Sequence, residues 1–420
     1  MGVKLLLAGW YGPADGLSAP EAPWPWLRRV ERWVREVAEE ELEGSRTVDS
    51  PQGPILRLLL HPAAEEVAIV AAGQGRVVVS ANTSMVGPGY HRYLCELLHA
   101  LSDALQVDWA DPALTTEGVG DPTGYFHSGD PSRIAPLMLG WLGERAGRVL
   151  EYRKQGHSGA TLSLRAGHGF EHPGAVLTPL GPRDEAWLRA VHADPSRGQD
   201  IFPWWEPGKG AAVKRGRALS RIWTEMVWRP PLLEEERHLF RDVARLLAQA
   251  WRQAPQLDYP WREWQQVLGY LGMGGTLAEE VSRRAAAAPS GPLSGYRRGA
   301  VQVTLPAGWE IRIPGSLAEQ RLADGSWVAR DHRRSVRFLP LEDVAGIAPG
   351  PEGEMPYEFQ HQGERVKGRA TLHMEPGEYR LTALCEAGAH RALCVVSFDD
   401  PEEQDWALGT WRSLDHAVAA

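Results

Sequence analysis

Cysteine is scarce in this chain of 420 residues: three occur, at Cys95, Cys385 and Cys394. Three thiols are too few for a disulfide framework, and an odd number leaves one unpaired in any oxidising compartment. Residues 385 and 394 could meet across a hairpin, but reduced core thiols are the simpler reading. Positive charge is also in deficit, with 45 Lys and Arg against 54 Asp and Glu and a net charge of −9. That balance argues against a general nucleic-acid binder, which needs net attraction to phosphate or one strongly basic face. Long apolar runs are missing too: no window approaches the ~18 residues that cross a bilayer. The opening MGVKLLLAGWYGPADG sets a lysine before three leucines, as a signal peptide would. Gly9 and Gly12 break that run, however, and no small-residue cleavage site follows. A first β-strand explains it better, and the expected compartment is the cytoplasm.

What is present is an ordinary globular composition, 43% hydrophobic and 24% charged, which excludes wholesale disorder. The length exceeds what one core usually fills, so two domains, possibly three, are expected. Residues 3–10 read as a buried strand. The stretch PWPWLRRVERWVREVAEEEL spaces Trp26, Leu27, Val30, Trp33, Val34 and Val37 by three and four, predicting a helix over about 25–42 with one buried stripe. Strands are predicted at 54–61, 66–73 and 76–82, with Gly73-Gln74-Gly75 as a tight hairpin loop. A helix over about 90–105 follows the loop TSMVGPG. Residues 111–135 read as loop and 132–148 as a further helix.

From 183 to 288 the pattern is helical and dense in tryptophan. Three glutamates open LLEEERHLFRDVARLLAQAW, which suits the helix dipole; Asp258 before YPWREWQQVLGYLG and Thr276 with Glu279 read as N-caps. AAAAPSGPLSGYRRG breaks the pattern, and after it a run of alternating strands leads to a final helix that starts behind Asp400 and Pro401. The predicted organisation is therefore α+β: an N-terminal mixed sheet with helices (1–182), a Trp-rich helical region packed on it (183–288), a linker (289–299) and a C-terminal antiparallel-sheet α/β domain (300–420).

In that last third, PAGWEI leads into paired antiparallel strands, and the block closes with YRLTALCE, HRALCVVSFDD and a helix ending WALGTWRSL. This order of elements resembles the PsbP-like fold, a group that includes small Ran-binding import factors and the chaperones of type VI secretion effectors. The resemblance covers about 120 of the 420 residues and implies a binding module without catalytic residues. It carries over no site residue. The preceding 300 residues resemble no family.

Candidate chemistry is sparse. His168-Gly169-Phe170-Glu171-His172 fits H-x-x-E-H, a metalloprotease pattern that requires a helix. Gly167, Gly169 and Pro173 oppose a helix there, so the zinc reading is rejected and no metal or cofactor is expected. The segment from Ser80 to His91 combines a strand, a small-residue loop and a helix start. Unpaired N–H groups at such a start favour anions. Gly87 and Gly89, the hydroxyls of Thr83 and Ser84 and the His91 imidazole are candidate ligands, with His127 as a further one. The competing reading is a structural turn that caps the helix, since the segment matches neither a phosphate loop nor a dinucleotide fingerprint. The echoes His127-Ser128 and His157-Ser158 place imidazole beside hydroxyl, but sequence neighbours seldom form a nucleophile–base pair.

Lys209, Lys214, Arg215, Arg217 and Arg221 near Trp204, Trp205 and Trp223 could engage a nucleic acid by charge and stacking, but Glu234-Glu235-Glu236 follows closely, so a solvated basic helix face, or a dock for an acidic partner, is the simpler reading. Most tryptophans are expected in the core. Trp204-Trp205, adjacent on the Pro-flanked loop FPWWEPG, is expected to leave one ring at a contact surface. Two functions follow. One is a non-catalytic interaction protein (adaptor, chaperone or immunity-type binder) with another protein as its partner, or a second copy of itself, and no membrane. The other is an enzyme or small-anion binder at Thr83–His91, which requires those residues to share a pocket with the loops of His127 and His157.

Overall fold

The computed structural model describes residues 2–12, 20–111, 119–157, 159–165, 167–341, 358–375 and 377–417. Its first sheet comprises β1 (Lys4–Tyr11), β2 (Gly44–Val48), β3 (Ile55–Leu59), β4 (Val67–Ala72), β5 (Arg76–Asn82) and β6 (Val107–Trp109), in the order β2-β3-β4-β5-β1-β6. Every pairing in it is antiparallel. The mixture is thus one of sheet and helix, not of strand directions. The β4–β5 connection is the expected tight turn, with Gln74 at φ 62°. Alternation sends Leu5, Leu7, Leu56, Leu58, Val67, Ile69, Val77 and Val79 to one buried face. Against that face lie α1 (Pro23–Val37), through Leu27, Val30 and Val34, and α2 (Pro88–Leu105), through Leu94, Leu98 and Leu101. Each such aliphatic side chain stabilises the fold by about 1.5–3 kcal/mol.

Among the described residues, the stretch expected to be loop holds a short helix, α3 (Tyr125–Ser128), and a 3-10 turn at Pro131–Arg133, after which α4 (Ile134–Lys154) begins. Short strands follow: β7 (Ala160–Thr161), β8 (His168–Phe170), β9 (Val176–Thr178) and β10 (Gly181–Arg183). The middle region is helical as expected, with α5 (Glu185–Ala193), α6 (Ala211–Thr224), α7 (Glu234–Gln253), α8 (Trp261–Tyr270) and α9 (Thr276–Ala287). Its core gathers Ile222, Phe240, Val243, Leu247, Trp264, Val267 and Val281. Two expected caps differ: Pro260 and Gly275, not Asp258 and Thr276, occupy the N-cap positions of α8 and α9.

The last third holds β11 (Ala300–Thr304), β12 (Trp309–Pro314), β13 (Ala318–Arg321), β14 (Trp327–Arg330), β15 (Arg334–Leu341), β16 (Phe359–Gln362), β17 (Lys367–Glu375), β18 (Glu378–Ala387), β19 (His390–Phe398), α10 (Gln404–Arg412) and β20 (Asp415–His416). Seven strands form an antiparallel sheet in the order β13-β14-β15-β19-β18-β17-β16, and α10 packs against it through Ala407, Leu408 and Trp411. A second sheet, β20-β12-β11-β8, takes its outer strand from residues 168–170, upstream of the helical region. The H-x-x-E-H segment therefore begins as a strand: His168 bonds Glu319 at 2.9 Å, while Glu171 pairs with Arg312 at 2.5 Å. All three cysteines are free and buried, with Cys385 and Cys394 on neighbouring strands. No described helix is long and apolar enough to cross a membrane.

Candidate functional site

The loop from Asn82 to Gly87 connects β5 to α2, and its polar groups turn inward. Thr83 and Ser84 are fully buried. Ser84 Oγ accepts the Val3 N–H at 2.8 Å and donates to Asn82 Oδ1 at 2.7 Å. The Thr83 hydroxyl lies 3.3 Å from Val3 O and 2.9 Å from His91 Nδ1. Gly89 N–H, an open donor in the anion-site reading, donates to Trp204 O at 3.1 Å, and Trp204 N–H donates to Val86 O at 3.0 Å. The loop carrying Trp204 thus sits on the helix start. Glycine is required at both approaches: a Cβ on Gly87 would lie 2.6 Å from Trp204 O, and one on Gly89 only 2.2 Å from Glu206 O. What reads in sequence as a ligand cradle is filled by the protein's own backbone.

His91 is the hub of a buried cluster. Its Nε2 lies 3.3 Å from Asp121 Oδ2, 3.1 Å from Thr123 Oγ1 and 3.6 Å from Cys95 Sγ. Asp121 also accepts the N–H groups of Thr123, at 2.8 Å, and Phe126, at 2.9 Å, which fixes the entry to α3. Burial opposes ionisation of Asp121, yet these bonds and the imidazole hold its carboxyl well below the usual range. Burial, then the nearby carboxylates, pushes the Cys95 thiol up. A Cys–His–Asp relay needs thiol and carboxylate on opposite ring nitrogens. Here both face Nε2, and Nδ1 belongs to Thr83. Cys95 and Asp121 were missed by sequence reasoning; the four-residue His91–Cys95 spacing on α2 was the one available signal.

The remaining candidate histidines stand apart. His127 is exposed at α3, edge-on to Phe126 with ring centroids 5.0 Å apart; His157, also exposed, stacks on Tyr152 at 4.2 Å. A cavity of about 590 Å³ borders the 82–85 loop, lined by Gly2, Asn82, Met85, Trp141, Arg148 and Arg165 among others. Neither Thr83 nor any of the three histidines lines it.

Trp204-Trp205 does not form an exposed pair. Trp204 is 1% exposed; its ring stacks on Tyr93 at 5.0 Å, and its Nε1–H donates to Gly208 O at 3.0 Å. Trp205 is half-buried beside Phe202. The bend at Phe202–Pro203 lets the first ring enter the core while the second lies over it. The basic residues, in turn, dock an acidic segment of the same chain. Lys209 meets Glu41 at 2.6 Å, Lys214 reaches Glu40 at 4.0 Å, and Arg215 donates to Asp258 O at 2.9 Å. Arg217 bonds Glu43 at 2.7 Å and the Glu41 carbonyl at 3.1 Å, while Arg221 bridges Glu43 and Asp242.

This lock has a pH signature. Burial raises the carboxyl pKa of Asp242, but Arg221 and Arg245 outweigh it and leave the value below the ordinary 3.8. A depressed folded-state value stabilises above the unfolded pKa and is lost as pH falls through the folded one. Asp242→Asn is therefore expected to flatten the acid limb of a stability–pH curve below pH ~4, measured by urea unfolding. An unchanged acid limb would count against a closed Arg221–Asp242 pair.

No family model matches the chain, and no curated protein does. A crystal structure from Bacteroides thetaiotaomicron VPI-5482 is similar over 29% of this chain and 50% of its own length, at 12% identity and a TM-score of 0.21. This chain thus spans half the length of that structure, and a likeness at that level carries no argument about fold or activity.

Proposed function

We propose that the chain is a non-catalytic protein-interaction protein whose contact surface is the outward face of its N-terminal sheet. The observation that carries this reading is a row of apolar side chains where an antiparallel sheet with one solvated face normally alternates to polar ones. Register aligns Ala8, Val78, Val70, Ile55 and Val48 across five neighbouring strands. Trp10, on the same face, is 51% exposed, and Val78 is 37% exposed. A contiguous apolar patch of this kind marks an interaction site, and tryptophan is a frequent anchor in one. Lys4 and Arg76 flank it without an ion-pair partner among the described residues. The partner that fits is a protein with an apolar strip beside a carboxylate.

The PsbP-like resemblance of residues 300–420 supports the same class of function, and an antiparallel sheet backed by a C-terminal helix agrees with it. Three free, buried thiols support a cytoplasmic, reducing setting. The enzyme reading loses support, since Thr83, Ser84, Gly87, Gly89 and His91 are buried against the protein's own groups while His127 lies exposed and apart from them. Affinity capture from native lysate, with wild-type chain beside a Trp10→Asp, Val78→Asp double variant, tests the proposal. A stoichiometric partner, or a second copy, is expected on the wild type and lost on the variant, with thermal stability nearly unchanged. Retention of the partner by the variant, or a wild-type chain that stays alone and monomeric, would sink it.

A further inference from the structure

Three side chains that bear metal-binding atoms converge on one point inside the first domain. His91 Nε2, Cys95 Sγ and Asp121 Oδ2 all lie within 4.8 Å of one another, and all three residues are buried. Nε2 is 3.3 Å from the carboxylate oxygen and 3.6 Å from the sulfur. Zinc bonds of ~2.05 Å to nitrogen, ~2.1 Å to oxygen and ~2.3 Å to sulfur, set at tetrahedral angles, require about 3.4 Å between N and O and about 3.6 Å between N and S. The observed separations match those edges.

Two further observations concern what must stand at that point. The Thr83 hydroxyl reaches both His91 Nδ1, at 2.9 Å, and the Val3 carbonyl, at 3.3 Å. In the tautomer protonated at Nδ1, that nitrogen donates to Thr83 Oγ1 and the hydroxyl donates to the Val3 carbonyl, the outer-shell contact that orients a ligating histidine. Nε2 is then aimed at a carboxylate oxygen. In that tautomer the Nε2 lone pair faces, across 3.3 Å, an oxygen that also accepts the Thr123 hydroxyl at 2.6 Å and the Phe126 N–H at 2.9 Å, so a cation belongs between them: a proton on Nε2, or a metal that the thiolate also binds. The convergence of sulfur on the same nitrogen favours the second, because a proton serves one acceptor well and leaves the sulfur idle.

We propose that His91, Cys95 and Asp121 bind a structural zinc ion, with the Thr123 hydroxyl, 3.1 Å from Nε2, as the fourth group in reach. One thiolate and one carboxylate neutralise the dication, so the buried site carries no net charge, and binding releases the thiol proton. A catalytic site keeps a position open to solvent, whereas all three ligands here are buried, which suits a structural ion. The ion would tie α2, through His91 and Cys95, to the segment that carries Asp121, whose Gly120 bridges to Leu6 of β1. This inference is independent of the interaction surface and fails or stands without it.

The test uses the full chain, apo and after addition of Zn²⁺ or Co²⁺, with metal content read by elemental analysis. One zinc per chain is expected, with a thermal midpoint that chelation lowers reversibly. The cobalt form should show a thiolate-to-metal charge-transfer band that Cys95→Ser, a near-isosteric change that preserves folding, abolishes. His91→Gln should lose the metal as well. If that variant fails to fold, the cobalt spectrum of Cys95→Ser decides alone. No bound metal, metal content indifferent to Cys95→Ser, or a midpoint unmoved by chelator would each overturn the proposal in favour of a plain His91–Asp121 hydrogen bond.

Discussion

Glu43→Ala is expected to lower the stability of this protein by roughly 3–5 kcal/mol, the range for removing one partner of a buried ion pair. Glu43 lies just past α1, and its carboxylate holds two guanidinium groups of α6, Arg217 and Arg221, whose side chains are 8% and 9% exposed. Arg217 keeps the carbonyls of Glu40 and Glu41 after the substitution, and Arg221 keeps Asp242. Neither set replaces the lost charge, and the Arg221 Nε is already without a partner. Two positive charges would then share a desolvated pocket with His61, fully buried and held well below its ordinary pKa first by burial and then by these same arginines. Chemical unfolding followed by circular dichroism measures the loss. A change under about 1 kcal/mol would place the pair in the solvent-screened class. A triple replacement of Glu43, Arg217 and Arg221 by apolar residues of similar volume should recover most of the loss, because Asp242 keeps Arg245 as its partner and no member of the triad is left charged and unpaired.

Trp204→Ala is the second large effect, at about 3–5 kcal/mol. The ring fills a pocket formed by Tyr93, Tyr90 and His61, at centroid distances of 5.0, 5.9 and 6.3 Å. Truncation leaves a cavity there, and the Gly208 carbonyl loses its donor. The backbone bonds of residue 204 to Val86 and Gly89 remain possible, so the loop should stay docked while the core behind it loosens. The isolated chain should therefore melt earlier, with no partner present. A variant that melts as wild type yet loses a bound protein would return Trp204 to the surface, where adjacency to Trp205 in the sequence had placed one of the two rings.

Adjacency did not say which ring turns inward, Trp204 being buried and Trp205 half-buried, and that limit shows which features a linear pattern carries. The helix at Pro23–Val37 was legible because Leu27, Val30 and Val34 repeat at the spacing of one helical face. The strands at 55–59, 67–72 and 76–82 were legible by alternation and by the glycines between the last two. The edge strand Gly44–Val48 was not, since GSRTV holds a single large apolar residue and its pairing with β3 comes from the neighbour. The anion-site reading correctly located a strand–loop–helix junction at Thr83–His91. It erred on what faces that junction, because the covering segment, Phe202–Glu206, is more than a hundred residues away. The basic run at 209–221 read first as a solvated face, with an acidic partner as the alternative; Lys209, Lys214 and Arg221 instead pair with Glu41, Glu40 and Glu43 of the same chain.

Composition and periodicity alone determined the α+β class, the helical middle, the thiol chemistry and the absence of any long apolar span, since these depend on residue type and on neighbours within a turn or a strand. Tertiary structure alone decided which charges are paired, which tryptophans are buried and which three side chains meet beside His91. Those outcomes turn on contacts such as His91 with Asp121, 30 residues away, and Arg221 with Glu43, 178 away, and a side chain's chemistry is set by what surrounds it, which chain order does not encode locally.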